Sequence, residues 1–148
     1  MIHFTIRSYK FTKPFVSQPL AMLCCNNLWA SHFAERASIH AFCLMPDHLH
    51  LCLNDREEKA KTFVSEWKSF MTHESWKHGW KGKLWQEGAF TKESFNEAAE
   101  LSVVGYVLHN PESAGFVKMW KKWPYWAQPF FNVKGWDENG EAASGLAN

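Results

Sequence analysis

The sequence predicts an α+β fold: a ferredoxin-like or RRM-like sandwich, with a four-stranded antiparallel sheet and helices packed on one face. Three observations predict it. The segment His48-Leu49-His50-Leu51-Cys52-Leu53 alternates strictly, which is the period of a half-buried strand. The apolar run Ala37 to Met45 precedes it across Pro46-Asp47, a turn dipeptide, so the two runs read as an antiparallel hairpin. Around this hairpin, strand-period and helix-period segments follow one another in the order β-α-β-β-α-β-α.

Each element has its own signal. Ile2 to Phe11 alternates loosely, with Ile2, Phe4 and Ile6 on one side and His3, Thr5 and Arg7 on the other, and reads as the first strand. Pro14 and Pro19 bracket a loop, and Pro19 suits the first turn of a helix reaching about Glu35. After the hairpin, Asn54-Asp55 can cap a second helix from about Arg56 to Trp76, with Phe63, Trp67, Phe70 and Met71 as its apolar stripe. Gly79 and Gly82 break that pattern, and Leu84 to Phe90 reads as the fourth strand. Ser94-Phe95-Asn96-Glu97 is a capping box opening a third helix. Pro111 disfavours helix at the residue before it, so this helix is expected to end near His109. Trp120 to Trp136 is aromatic and basic, and Asp137 to Asn148 is small and polar. Residues 1–136 are expected to form one domain and 137–148 a flexible tail.

Composition bounds the function. At 148 residues and 46% apolar, the chain can build one core. It has no apolar run of membrane-spanning length and no secretory leader pattern, so a soluble, cytoplasmic protein is expected. Cys24, Cys25, Cys43 and Cys52 lack C-x-x-C spacing and read as buried thiols of a reducing compartment. A net charge of +1 makes no global case for nucleic acid. Locally the charge is uneven. Lys68, Lys77, Lys81 and Lys83 stand among Trp67, Trp76, Trp80 and Trp85, and Lys121 and Lys122 beside Trp120 and Trp123. Cations interleaved with aromatics suit single-stranded nucleic acid, which offers phosphates and stackable bases together. The same tryptophans serve equally as core, with the lysines a solvated face.

His48 and His50 project from one strand face, about 7 Å apart along the strand. They are either ordinary residues of a wet sheet face or two ligands of one metal ion. Tyr106 and Asn110 are four apart on the third helix and share a face near its end.

Three segments resemble a known family, the REP-associated tyrosine transposases, single-tyrosine, IS200-like members of the HUH endonuclease superfamily. Met45-Pro46-Asp47-His48-Leu49-His50 is similar to that family's Met-Pro-Asn/Asp-His-hydrophobic-His. Leu84-Trp85-Gln86-Glu87-Gly88-Ala89-Phe90 resembles its Trp-Gln…Phe segment. Tyr106-Val107-Leu108-His109-Asn110-Pro111-Glu112-Ser113-Ala114-Gly115-Phe116-Val117 resembles its Tyr-Ile-x-x-Asn-Pro-x-x-Ala-Gly-Leu-Val. Order and spacing agree over roughly Met1 to Trp126.

The resemblance implies a catalytic domain with its third helix near the HUH strand. It implies His48 and His50 as ligands of a divalent ion, Mg²⁺ or Mn²⁺, with Asn110 as a third, polar ligand and Tyr106 as nucleophile. It implies cleavage of single-stranded DNA, usually at hairpin-forming repeats, with a 5′-phosphotyrosine link and a free 3′-hydroxyl, by a monomer or a homodimer. Lys68 resembles a lysine of the family's second helix and is expected to touch phosphate. Lys77, Lys81, Lys83, Trp85, Lys121 and Lys122 are the other expected DNA contacts. The chain departs from the pattern at Glu112-Ser113, where Val-Arg is common, and in its closing segment Trp123-Pro124-Tyr125-Trp126-Ala127-Gln128. The alternative is a catalytically silent or domesticated single-stranded nucleic-acid binder on the same fold.

Overall fold

The computed structural model describes residues 1–143. Its strands are β1 (Ile2–Arg7), β2 (Ile39–Met45), β3 (His48–Leu53), β4 (Phe90–Glu93), β5 (Trp126–Gln128) and β6 (Val133–Lys134). Its helices are α1 (Gln18–Phe33), α2 (Ala60–Lys77) and α3 (Glu97–Ser113). All strands join one antiparallel sheet in the order β4-β1-β3-β2-β5-β6. The first four reproduce the expected ferredoxin-like order. The closing segment adds β5 beside β2, with Cys43 opposite Trp126, and β6 beyond it, so the sheet is six-stranded rather than four-stranded.

The leucine side of the hairpin is the main core. Leu49, Leu51 and Leu53 lie with Phe4, Ile6, Phe42 and Leu44 under α1 (Leu20, Cys24, Leu28) and α2 (Val64, Trp67, Met71). The opposite side is also covered. Ala41, Cys43, Met45 and Cys52 pack against Val107 and Leu108 of α3 and against Trp126. Helices therefore cover both faces, not one. The reason lies in β2 and β3: their second face carries small apolar side chains, which let α3 approach closely. All four cysteines are buried and unpaired, and burial drives the Cys52 thiol up to about 12.

Local chemistry explains the shifted boundaries. β1 stops at Arg7 because Tyr9–Phe11 and Pro14–Val16 form short 3₁₀ turns. α2 begins at Ala60 rather than Arg56, because Asn54 accepts from the Arg56 amide and Asp55 from the Ala60 amide. These two side chains spend the intervening residues on a turn that holds Glu58 at φ 55°. The expected fourth strand is displaced. Trp85 makes an isolated bridge to Ser8, Gly88 breaks the pairing at φ 75°, and strand geometry resumes at Phe90.

Asn96, not Ser94, caps α3, by accepting from the Ala99 amide. The helix runs through Pro111 to Ser113. What stops it is Gly115 at φ 81°: its amide bonds to Glu112 and the Phe116 amide to Pro111, the paired bonds of a Schellman cap. Pro111 lies in the last turn, where its missing amide forgoes the bond to the Val107 carbonyl, and its ring is buried. Beyond β6, residues 137–143 close a turn, with the Ala143 amide on the Gly135 carbonyl and Gln18 donating to the Gly140 carbonyl. The rest of the expected tail, residues 144–148, lies outside the described residues. No helix among those described is long and apolar enough to cross a membrane.

Candidate active site

The Pro46-Asp47 turn fixes the site. Its two carbonyls are held from outside the hairpin: Pro46 accepts from the Phe15 amide and Asp47 from the Ser8 amide. His48 and His50 follow on the face that α3 covers. Alternation sends both imidazoles to that face, and the β1–β3 register, with Thr5 opposite His50 and Arg7 opposite His48, brings His3 diagonally beside them.

The rings form a hydrogen-bonded chain. His48 Nδ1 lies 2.7 Å from Asp47 Oδ1, and His48 Nε2 lies 3.2 Å from His50 Nε2. His50 Nδ1 lies 2.9 Å from His3 Nε2. His50 is 4% exposed. Burial first, then the neighbouring His48, His3 and Arg7, lowers its pKa to about 3, so the ring is neutral at pH 7. Burial, then Lys92, lowers His3 as well.

Two tautomer sets match these distances, and only the first makes all three hydrogen bonds. In the first, His50 Nε2–H donates to His48 and the four side chains close on themselves. In the other, His48 donates from Nδ1 to Asp47 and His50 from Nδ1 to His3, leaving two Nε2 lone pairs aimed at each other. Two lone pairs 3.2 Å apart repel unless a cation lies between them. With metal–nitrogen bonds of about 2.1 Å, adjacent ligands of one ion stand roughly 3.0–3.4 Å apart. The donor set fits a metal on this count, and Asp47 and His3 hold the far ring nitrogens as second-sphere partners do. Among the described residues, no group of three His, Cys, Asp or Glu side chains is placed to hold an ion.

α3 brings Tyr106 to this cluster. Val107, Leu108 and Pro111 turn into the sheet, which leaves Tyr106 at the rim. Its ring stands edge-on to His50 (centroids 5.9 Å) and His3 (6.3 Å) and is 61% exposed. Asn110 follows one turn later on the same helix, half-buried.

The expected DNA contacts do not converge here. Lys68 donates to the Gln86 carbonyl (3.0 Å) and the Gly88 carbonyl (2.6 Å), tying α2 to the segment before β4, and burial lowers its pKa. Trp85 is 6% exposed, packed between Phe15 and Trp67, so its ring offers no face to a base. Lys77 pairs with Glu74, and Lys81 is exposed in the link that follows α2. The Lys83 ammonium lies over the Tyr9 ring. Lys121 lies over Trp120, whose ring packs on His109 of α3, and Lys122 is exposed beside it. The sequence reading missed His3 and gave Asp47 only a turn role. His3 was legible only through strand register, which β1 alone does not state.

No family model matches the chain, and no curated protein matches it. Among solved structures, a REP-associated tyrosine transposase bound to a REP hairpin superposes with a TM-score of 0.68 at 20% identity, covering 84% of this chain and 74% of that one. At that identity the likeness is one of fold: the chain shares the α+β architecture of that transposase, with an antiparallel sheet at its centre.

Proposed function

We propose that the chain is a metal-dependent single-stranded DNA endonuclease and strand transferase of transposase type, acting at hairpin-bearing DNA. The observation that carries this reading is the convergence of His48 Nε2 and His50 Nε2 at 3.2 Å beside the exposed Tyr106 ring. His48 and His50 would hold Mg²⁺ or Mn²⁺, with Asn110 as the third ligand. When bound, such an ion polarises a phosphate oxygen and orients the scissile group.

The chain's own residues supply the rest. The Tyr106 oxygen attacks phosphorus; the P–O bond to tyrosine forms and the P–O3′ bond breaks. The tyrosine hydroxyl gives its proton to solvent, and the departing 3′-oxygen takes one from solvent to become a free 3′-hydroxyl. The 5′-phosphate stays on Tyr106, so the bond energy remains available for rejoining. Asp47 and His3 hold the imidazoles in orientation. The test is incubation with labelled single-stranded DNA hairpins and Mn²⁺, read on a denaturing gel. A covalent protein–DNA band that vanishes in Tyr106→Phe supports the reading. DNA retention on native gels without any covalent band, across several hairpins and ions, overturns it.

A second reading, a silent single-stranded nucleic-acid binder, is favoured by one observation: the chain Asp47–His48–His50–His3 can close on itself through hydrogen bonds alone.

A further inference from the structure

A groove of about 1140 Å³ runs between α2 and the segment 84–91, walled also by the turn Tyr9–Phe11. Its floor includes Phe4 and Val64, which belong to the leucine-side core. It therefore lies on the other side of the sheet from His48, His50 and Tyr106. It exceeds the size of an ordinary small-molecule pocket, about 300–1,000 Å³, and suits an extended occupant.

The charge is one-sided. Lys10, Lys61, Lys68 and Lys83 line the groove against Glu87 alone, in a chain whose net charge is only +1. Lys68 is engaged by carbonyls, while the other three are exposed. The ammoniums of Lys10 and Lys83 both lie over the Tyr9 ring, at 5.3 and 5.4 Å from its centroid. Beside them Phe11 is 74% exposed.

The turn that presents these groups is strained and pinned. Lys10 (φ 50°) and Phe11 (φ 57°) are consecutive non-glycine residues in the left-handed region, which favours glycine. The turn is held by Tyr9 N–H to the Leu84 carbonyl, by Thr12 Oγ to the Tyr9 carbonyl, and by Ser8 Oγ to the Thr12 carbonyl. At this turn Phe11 lines the groove with its ring exposed.

We propose that this groove binds an unpaired nucleic-acid segment, with its phosphates on Lys10, Lys61 and Lys83 and a base stacked on Phe11. A flanking single strand is favoured over a duplex stem because an exposed aromatic ring offers stacking that only unpaired bases can take. This rests on the DNA-acting reading of the His48–Tyr106 site, and assigns the groove to a part of the strand away from the scissile phosphate.

The test is fluorescence anisotropy of the full chain with a labelled oligothymidylate, across a salt series in EDTA, so that no cleavage intervenes. Lys10→Glu/Lys83→Glu is expected to weaken binding at least about tenfold, and to lower the slope of log affinity against log salt by about 1.4, near 0.7 per lost phosphate contact. Phe11→Ala should weaken binding about tenfold with little change in that slope. Unchanged affinity and slope in the double variant, or an equal loss against a blunt hairpin without unpaired extension, overturns the proposal. Both lysines are exposed, and unaltered thermal unfolding of the variant verifies its fold. Covalent capture separates the two claims. Adduct formation with unchanged binding in the double variant sinks the groove alone. Lost binding in that variant, with no adduct from the wild-type chain, sinks the nuclease reading alone.

Discussion

The two faces of the β2–β3 hairpin use the same strands for opposite ends. The leucine face buries Leu49, Leu51 and Leu53 under two helices, with each leucine at most 1% exposed. The other face meets one helix through Ala41, Cys43, Met45 and Cys52, and along β3 and the neighbouring β1 it carries His48, His50 and His3 instead of apolar side chains. The comparison shows how a small sheet separates stability from chemistry. Period-two alternation assigns each residue to one face, so the polar cluster interrupts only one of two cores.

The sharpest way to break this comparison is to exchange the effects of the two faces. Tyr106→Phe removes one exposed hydroxyl and no packing, so covalent DNA capture should disappear while the melting temperature stays within about 1–2 °C, as for other surface changes of under 0.5 kcal/mol. Leu51→Ala on the opposite face should do the reverse. Truncating a fully buried leucine costs about 2–5 kcal/mol, seen as an earlier denaturant midpoint, with capture intact in the fraction still folded. If Tyr106→Phe destabilised the fold as much as Leu51→Ala, the division between the faces would be wrong.

A finer test falls on the second sphere of the His face. His3→Ala and Asp47→Ala each leave the His48 and His50 side chains in place but free one far ring nitrogen. Each is expected to weaken Mn²⁺ binding by about 10–100-fold, measured by titration calorimetry. Equal affinity in both variants would mean that the pair is positioned by strand packing alone. The opposing prediction of the silent-binder reading is sharper: no Mn²⁺ heat in the wild-type chain at all.

Much of this layout was legible in the sequence, and the exceptions have physical causes. The hairpin was legible to the residue at β3, because alternation and the Pro46-Asp47 turn agree. α1 was legible within two residues at each end. The second layer over the His face was not, because Ala41, Cys43 and Cys52 look too small to mark an interface, although smallness is what admits α3. β5 and β6 were missed because three and two residues are too few to show a period. In the candidate site, His48, His50 and Tyr106 were legible from their motifs and do come together. His3 was not, because its partnership depends on the register between strands far apart in sequence. Trp85 misled because an aromatic among lysines reads the same whether it faces solvent or core.

The end of α3 yields the smallest prediction, and it bears on the same contrast because α3 is the α-helix that packs on the His face. Sequence reading placed the stop before Pro111, whereas the structure places it at Gly115. Gly115 has φ 81°, and a Cβ built there would meet nothing within 4 Å. The cost of Gly115→Ala is thus purely conformational, about 1 kcal/mol, read as a small fall in unfolding free energy. Pro111→Ala should be close to neutral or slightly stabilising in the backbone, since it restores an amide to the last turn, and should lose a little from the packing of the buried ring. If Gly115→Ala were silent and Pro111→Ala lengthened or shifted the helix, proline would be the stop after all. Tyr106 and Asn110 would then owe their shared face to the proline rather than to the cap that lies beyond it.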